Sequence, residues 1–295
     1  GTNWFYAQLP RRPVITTPVI HRTSQAGEVK HLQFAIGGRV FPPLSHWDKI
    51  TSRFRGRVIR SWIETKAPEA RGHYDLLTPE QKDRLSLITG KDRDGQPLRG
   101  HQHAYFLLLP EENSTPSRLV VWRSTSFRPD EIDAFLHASE YKIAWEDGMP
   151  EWCLRIVPLP QQTPIPTDFH KPAKFWESVT PFVMPAERRR FRKSGKERPG
   201  ESVEQLVKKL LLTESKLLPD NIIVLEEGKD AALIKLHETR NRRMLKADNR
   251  TPWARPGFRV RMEFSQPVMG PFILGDSCHF GLGLFMAKSL GDENI

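Results

Sequence analysis

The stretch HLQFAIGGRVFPPLSHWDKITSRFRGRVIRSWIE, His31 to Glu64, changes its periodicity half-way, and the change decides the fold. In its first eight residues Leu32, Phe34 and Ile36 alternate with their neighbours as in a half-buried strand, closed by Gly37 and Gly38. A proline-containing turn, Phe41 to Leu44, follows. From Ser45, a candidate N-cap, the residues Trp47, Ile50, Phe54, Val58, Ile59 and Trp62 recur at helical spacing.

Downstream, a second helical piece runs from Thr78 to about Leu87, with Thr78 and Gln81 spaced as a capping box. KDRDGQPLRG, Lys91 to Gly100, faintly resembles a calcium loop through Asp92, Asp94 and Gly95. A ligand position is missing and no glutamate stands at the twelfth, so we read a tight turn. GHQHAYFLLLP (Gly100 to Pro110) and SRLVVWRS (Ser117 to Ser124) read as strands, RPDEIDAFLHASE as a helix with Asp130 near its N-terminus, and WCLRIVPL (Trp152 to Leu159) as a further strand. Strand, helix, strand, strand, helix, strand is the ferredoxin-like unit, four antiparallel strands with two helices on one face.

A second series follows the proline-rich PLPQQTPIPTDFHKP, Pro158 to Pro172. SVTPFVMP reads as a short strand, ERRRFRKSGKERPG as a charged loop, and ESVEQLVKKLLLTES as an amphipathic helix capped by Ser202 with Gln205 three residues on. NIIVLEEG and AALIKLHET suggest strands and TRNRRMLKADNR an arginine-rich turn. GFRVRMEF sets Phe258, Val260, Met262 and Phe264 on one strand face. The expected fold class is α+β, two ferredoxin-like β-α-β-β-α-β domains in tandem with a C-terminal glycine-rich loop. The expected divisions are a lead-in over 1–27, an N-terminal domain over 28–160, a linker over 161–176 and a C-terminal domain over 177–295.

No run approaches the eighteen or so apolar residues of a membrane span, and no charged-then-apolar leader opens the sequence, so we expect a cytoplasmic protein with no membrane partner. Cys153 and Cys278 stand far apart, against a disulfide framework or a structural zinc site. The net charge is +10, and between Ala186 and Arg261 there are 20 Lys/Arg against 11 Asp/Glu, which is nearly the whole excess. A localised positive field of this kind suits a polyanion, because Lys and Arg contacts release counterions from phosphates; a solvated basic surface is the plainer alternative. Arg188, Arg189, Arg190, Arg192 and Lys193, with Arg240, Arg242, Arg243 and Lys246, are the candidate phosphate contacts. Trp253, between Arg250 and Arg255, is either a base-stacking platform or packing.

On a strand His101 and His103 share a face and can address one atom, or they are two imidazoles at a solvent-exposed strand end. Tyr105 shares that face and either hydrogen-bonds a phosphate oxygen or belongs to the core. In the closing VMGPFILGDSCHFGLGLFMA, Gly270, Gly275, Gly281 and Gly283 lack the spacing of a dinucleotide fingerprint and of a P-loop. They let backbone lie close to a ligand with its N–H groups exposed, or they kink a terminal hairpin.

GPFILGDSCHFGLGLF after two ferredoxin-like units resembles the glycine-rich loop of the RAMP superfamily, the RNA-binding proteins of CRISPR systems. LITGKDRDGQPLRGHQHAYFLLLP, FWESVTPFVMP, the ESVEQLVKKLL helix and HFGLGLF together are more similar to the sixth Cas family, the repeat-processing endoribonucleases. The form they resemble is that of type I-G (formerly I-U) systems, usually fused behind a domain of the fifth Cas family. The resemblance covers roughly Gly90 to Lys288, and the Gly1 start with its proline-rich lead-in fits either a nuclease half separated from an upstream partner or a stand-alone form.

The resemblance implies metal-independent, cofactor-free cleavage of CRISPR repeat RNA, stem-loop or single-stranded, by attack of a 2′-OH. It leaves a 2′,3′-cyclic phosphate and a 5′-OH. His101 and His103 match its H-x-H segment, and His46 stands where the wider family often places a histidine, or else faces water at a helix start. His279 in the glycine loop is a further candidate, grouped with the four glycines as RNA-binding. Other subunits of a type I effector complex, or an upstream fused domain of the fifth Cas family, are the further partners implied. Two other readings stay open. One is a non-catalytic RAMP subunit that holds guide RNA. The other is a metal-dependent phosphohydrolase ligated by His101 and His103, which lacks an aspartate at the expected short spacing.

Overall fold

The alternation at His31–Gly38 forms strand β1, with Leu32 and Phe34 buried against helices on one face. The computed structural model describes residues 28–98, 100, 102–110, 115–145, 149, 151–185, 202–214, 216–227 and 257–289. Helix α1, Trp47–Lys66, buries Trp47, Ile50, Phe54, Val58 and Trp62, the stripe that its spacing predicts. Its N-cap is His46 rather than Ser45, because after Pro42 and Pro43 the chain first makes a 3-10 turn over Leu44–His46. Helix α2, Pro79–Thr89, carries the expected capping box: Gln81 N donates to Thr78 Oγ1 at 3.3 Å and Thr78 N to Gln81 Oε1 at 2.9 Å. It ends on Gly90 in the left-handed region, at φ 68°. The next turn is closed by Asp92, whose Oδ1 accepts from the backbone N–H groups of Asp94 and Gln96.

Strands β2 (Tyr105–Pro110) and β3 (Pro116–Trp122), helix α3 (Pro129–Ser139), the short β4 (Ile143–Ala144) and β5 (Cys153–Pro158) complete the first unit. All its strand neighbours are antiparallel, in the order β2-β3-β1-β5-β4. Taken as first to fourth strands, β1, β2, β3 and β5 stand in the ferredoxin-like order 4-1-3-2. Helices α1 and α3 are tied by Trp62 Nε1, which donates to Asp130 at 2.9 Å. Burial raises the Asp130 carboxyl, but this hydrogen bond and the neighbouring Arg128 outweigh it and hold the group below its usual range.

Helix α4 (Thr167–His170) leads to β6 (Ala173–Ser178), β7 (Phe182–Val183), α5 (Val203–Thr213), β8 (Asn221–Glu227), β9 (Gly257–Val268), β10 (Phe272–Ile273) and β11 (Leu284–Lys288). The sheet order is β10-β11-β6-β9-β7, with β8 on the other edge of β9. Here β6, β8, β9 and β11 repeat the 4-1-3-2 order. The first strand lies earlier than SVTPFVMP, which keeps only the last residue of β6, Ser178, and the two residues of β7. At the interruption Pro181 has no N–H to give, and Thr180 Oγ1 and the Pro181 carbonyl accept from Leu284 N and Gly283 N. Between β9 and β11, where a second helix would stand, the chain makes β10 and a 3-10 turn over Cys278–Phe280. The expected strand AALIKLHET lies outside the described residues.

The two sheets pack face to face. Tyr105, Leu107 and Leu109 of β2 and Val120 of β3 bury themselves against Phe169, Ile273, Cys278, Leu284 and Met286. The alternate residues Phe106, Leu108, Leu119 and Val121 face α1 and α3. The run YFLLL is apolar without a break because both faces of its strand are covered. The far face of the second sheet packs on α5 through Val207 and Leu211. The layers are helices, sheet, sheet and helix. Among the described residues no helix is long and apolar enough to cross a membrane.

Candidate active site

The strand expected from Gly100 starts at Tyr105, so His103 stands before it. The residues ahead of β2 are tied to the end of α2 instead of to β3: Ala104 N donates to the Leu87 carbonyl at 2.8 Å, and Leu98 N to that of Gly90 at 2.9 Å. This sets the half-buried His103 ring against Gly90, where an added Cβ would come within 2.7 Å of His103 Nε2.

His279 reaches the same place from the other end of the chain. Its 3-10 turn is bounded by Ser277 at φ 60° and Gly281 at φ 88°, and a Cβ on Gly281 would lie 3.1 Å from the Phe106 carbonyl of β2. Glycine is required there for the turn to lie on the strand. The turn is anchored to α1 as well: Thr51 Oγ1 donates to the Phe280 carbonyl at 2.8 Å, and the Arg55 guanidinium lies 5.0 Å from the centre of the Phe280 ring.

Three rings result in one stack. His103 and His279 lie with centroids 3.4 Å apart and planes 19° from parallel, and Tyr105 and His279 with centroids 4.0 Å apart at 21°. Two rings so close to one centroid would overlap if they shared a face, so His103 and Tyr105 cover opposite faces of His279. His279 Nδ1 lies 3.3 Å from the Ala104 carbonyl oxygen. Tyr105 is buried, which pushes its phenol far above the usual range and keeps its hydroxyl protonated. Burial also pushes the neighbouring Cys278 thiol up, to about 12.

The other expected residues fall elsewhere. His46 lies edge-on to Trp145 at 5.2 Å, in an aromatic group with Trp152 at the β4 end of the first sheet. Gly270 lies against the Trp176 indole and Gly275 against the Val183 carbonyl. The N–H groups of Gly281 and Gly283 donate to the Cys278 and Pro181 carbonyls at 3.0 and 2.8 Å, so the fold itself uses the two donors that an RNA phosphate was expected to meet. His101, Arg188, Arg189, Arg190, Arg192, Lys193, Arg240, Arg242, Arg243, Lys246 and Trp253 lie outside the described residues. Thr51, Arg55, Phe280 and the Ala104 carbonyl are the parts that sequence reading missed. Thr51, a fully buried hydroxyl within the apolar stripe of α1, was the signal available.

Two solved structures follow a similar chain course. One, "CRISPR associated protein Cas6", has 9% sequence identity and a TM-score of 0.36 over 88% of this chain and 98% of its own. The other, "Structure A of CRISPR endoribonuclease Cse3 bound to 19 nt RNA", has 12% identity and a TM-score of 0.32 over 88% of this chain and all of its own. No family model matches the sequence, and no curated protein does. Both likenesses are remote, and the roles of residues rest on this chain's own geometry.

Proposed function

We propose that the chain is a metal-independent endoribonuclease that cuts CRISPR repeats in precursor RNA. The observation that carries this reading is the His103–His279–Tyr105 stack, which puts two imidazoles where the glycine-rich segment lies on β2. In the reaction a base takes the proton of the 2′-OH, whose oxygen forms a bond to phosphorus as the bond to the 5′ oxygen breaks in line. An acid then protonates the departing oxygen. The products are a 2′,3′-cyclic phosphate and a 5′-OH, with no water consumed. Imidazoles titrate near neutrality and serve both needs.

In this proposal the catalytic side chains are sought in the stack, among His103, Tyr105 and His279, with His101 and His46 the further candidates that the sequence offers. The arginines of 188–193 and 240–246 hold phosphates, with the glycine-rich segment that carries His279 beside the RNA. The expected linker of 161–176 shortens to 161–172, because β6 of the second unit starts at Ala173; the first unit is 28–160, and further partners are type I effector subunits or an upstream domain of the fifth Cas family. One observation favours the second reading, a subunit that only holds guide RNA: Tyr105 is buried between the sheets and Nδ1 of the half-buried His103 is buried as well.

Labelled repeat RNA incubated with the protein in EDTA and run on a denaturing gel separates these. We expect cleavage, a cyclic phosphate end, and no cut when the scissile nucleotide is 2′-deoxy. Binding without cleavage supports the guide-holding subunit. Loss in EDTA with rescue by manganese or zinc would sink the imidazole mechanism.

A further inference from the structure

Within the cleavage reaction proposed above, on which this step rests, we infer that His279 is the general base and His103 its positioning residue. The two rings lie face to face, but their nitrogens are not equivalent. A carbonyl oxygen can only accept, so the 3.3 Å contact to Ala104 puts the hydrogen of neutral His279 on Nδ1. The lone pair is then on Nε2, and that atom takes the proton. A backbone acceptor that fixes the tautomer and orientation of an imidazole is the arrangement on which proton abstraction by histidine depends.

His103 meets His279 with its ring face. Its Nε2 edge is pressed against Gly90, 2.7 Å from where a Cβ would stand, and its Nδ1 is buried. What it supplies is a flat surface. With His103 on one face at 3.4 Å and Tyr105 on the other at 4.0 Å, the His279 ring cannot tilt away from the Ala104 carbonyl. Once His279 has taken the 2′-OH proton, its positive charge lies over the neutral Tyr105 ring, a favourable cation–π contact. The turn that carries His279 is fastened to α1 through Thr51 and Arg55, so the base is carried on a supported segment.

The test combines single-turnover cleavage of repeat RNA, RNA binding, and nitrogen-15 spectra of the imidazoles in the intact chain. His279→Phe keeps a flat ring but no nitrogen, and should slow cleavage by roughly 10²- to 10⁴-fold with affinity retained. The defect should persist on a substrate with sulfur in place of the leaving 5′ oxygen, because a thiolate departs without an acid while the 2′-OH still needs a base. His103→Ala should lower the maximal rate, and His103→Phe, which restores the flat surface, should recover most of that loss. In the spectra, neutral His279 should be protonated at Nδ1, and His103→Ala should shift it toward the Nε2-protonated form.

Three results overturn the inference while the wild type still cuts RNA: full activity of His279→Phe, its rescue by the sulfur substrate, or His103→Phe as slow as His279→Phe. An Nε2-protonated His279 in the wild type overturns it without reference to activity. A wild type that does not cut the repeat removes the functional reading and this inference together.

Discussion

Gly90 is a residue on which stability and the site meet. It ends α2 at φ 68°, and the space a side chain would need there is taken by the His103 ring. Gly90→Ala should cost about 1–2 kcal/mol for the left-handed backbone alone, read in urea unfolding. The ring cannot retreat, because His279 stacks on it at 3.4 Å. Cleavage should therefore fall more than RNA affinity does. Gly95→Ala is the control: φ is 78° there too, but no atom lies within 4 Å of the added Cβ, so it should lower stability and leave the site intact. Position 90 was legible only as lying just past a helix read to about Leu87. Its second role was not, because the imidazole that fills its vacant side arrives from thirteen residues further along the chain.

Among elements, α3 shows what one buried ion pair does. Arg123, after β3, meets Glu131 with both side chains fully buried, Nη1 to Oε1 at 3.0 Å and Nη2 to Oε2 at 2.7 Å. Arg123 also donates to the Thr125 and Ser126 carbonyls, and Glu131 accepts from the backbone of Arg128. Together they fasten the β3–α3 connection. Glu131→Ala leaves a buried guanidinium without its anion and should lower stability by about 3–5 kcal/mol in chemical denaturation. A double variant with Arg123→Met should lose less than the two single losses added. The sequence marks α3 by its periodicity and the capping boxes of α2 and α5 by residues three apart, since those signals are complete within one turn. It does not mark β6, whose pairing with β9 and β11 depends on segments eighty or more residues away.

For the whole molecule, the layer between the sheets is the consequential feature. Separating the units would expose Tyr105, Leu107, Leu109, Ile273 and Leu284 to water, so unfolding should be one cooperative transition with tryptophan fluorescence and far-ultraviolet circular dichroism coinciding. Two separated transitions would contradict the sandwich. The same layer brings the His279 turn onto β2, so the candidate site belongs to neither unit alone. RNA binding belongs to this scale too, through the excess of positive charge between Ala186 and Arg261. Neutralising Arg188, Arg189 and Arg190 together should weaken binding and flatten the slope of log affinity against log salt by up to about 0.7 per lost single-strand contact. An unchanged slope would show that these arginines do not meet phosphate.

The alternation of strand and helix, the ferredoxin-like order of elements in the first unit and the local charge excess were all determined by the sequence itself. Each rests on neighbours within a turn of helix, a few strand residues, or a plain count of charges. His103 was visible there as a candidate, and His279 as a further one. Their contact was not. Ala104 and His279 stand 175 residues apart, and what joins them is the register of two sheets, a turn that only glycine at 281 allows to lie on β2, and burial of β2 on both faces. Tertiary structure alone decided which nitrogen of His279 faces a carbonyl, because a tautomer follows from the hydrogen-bond partner and that partner is chosen by packing.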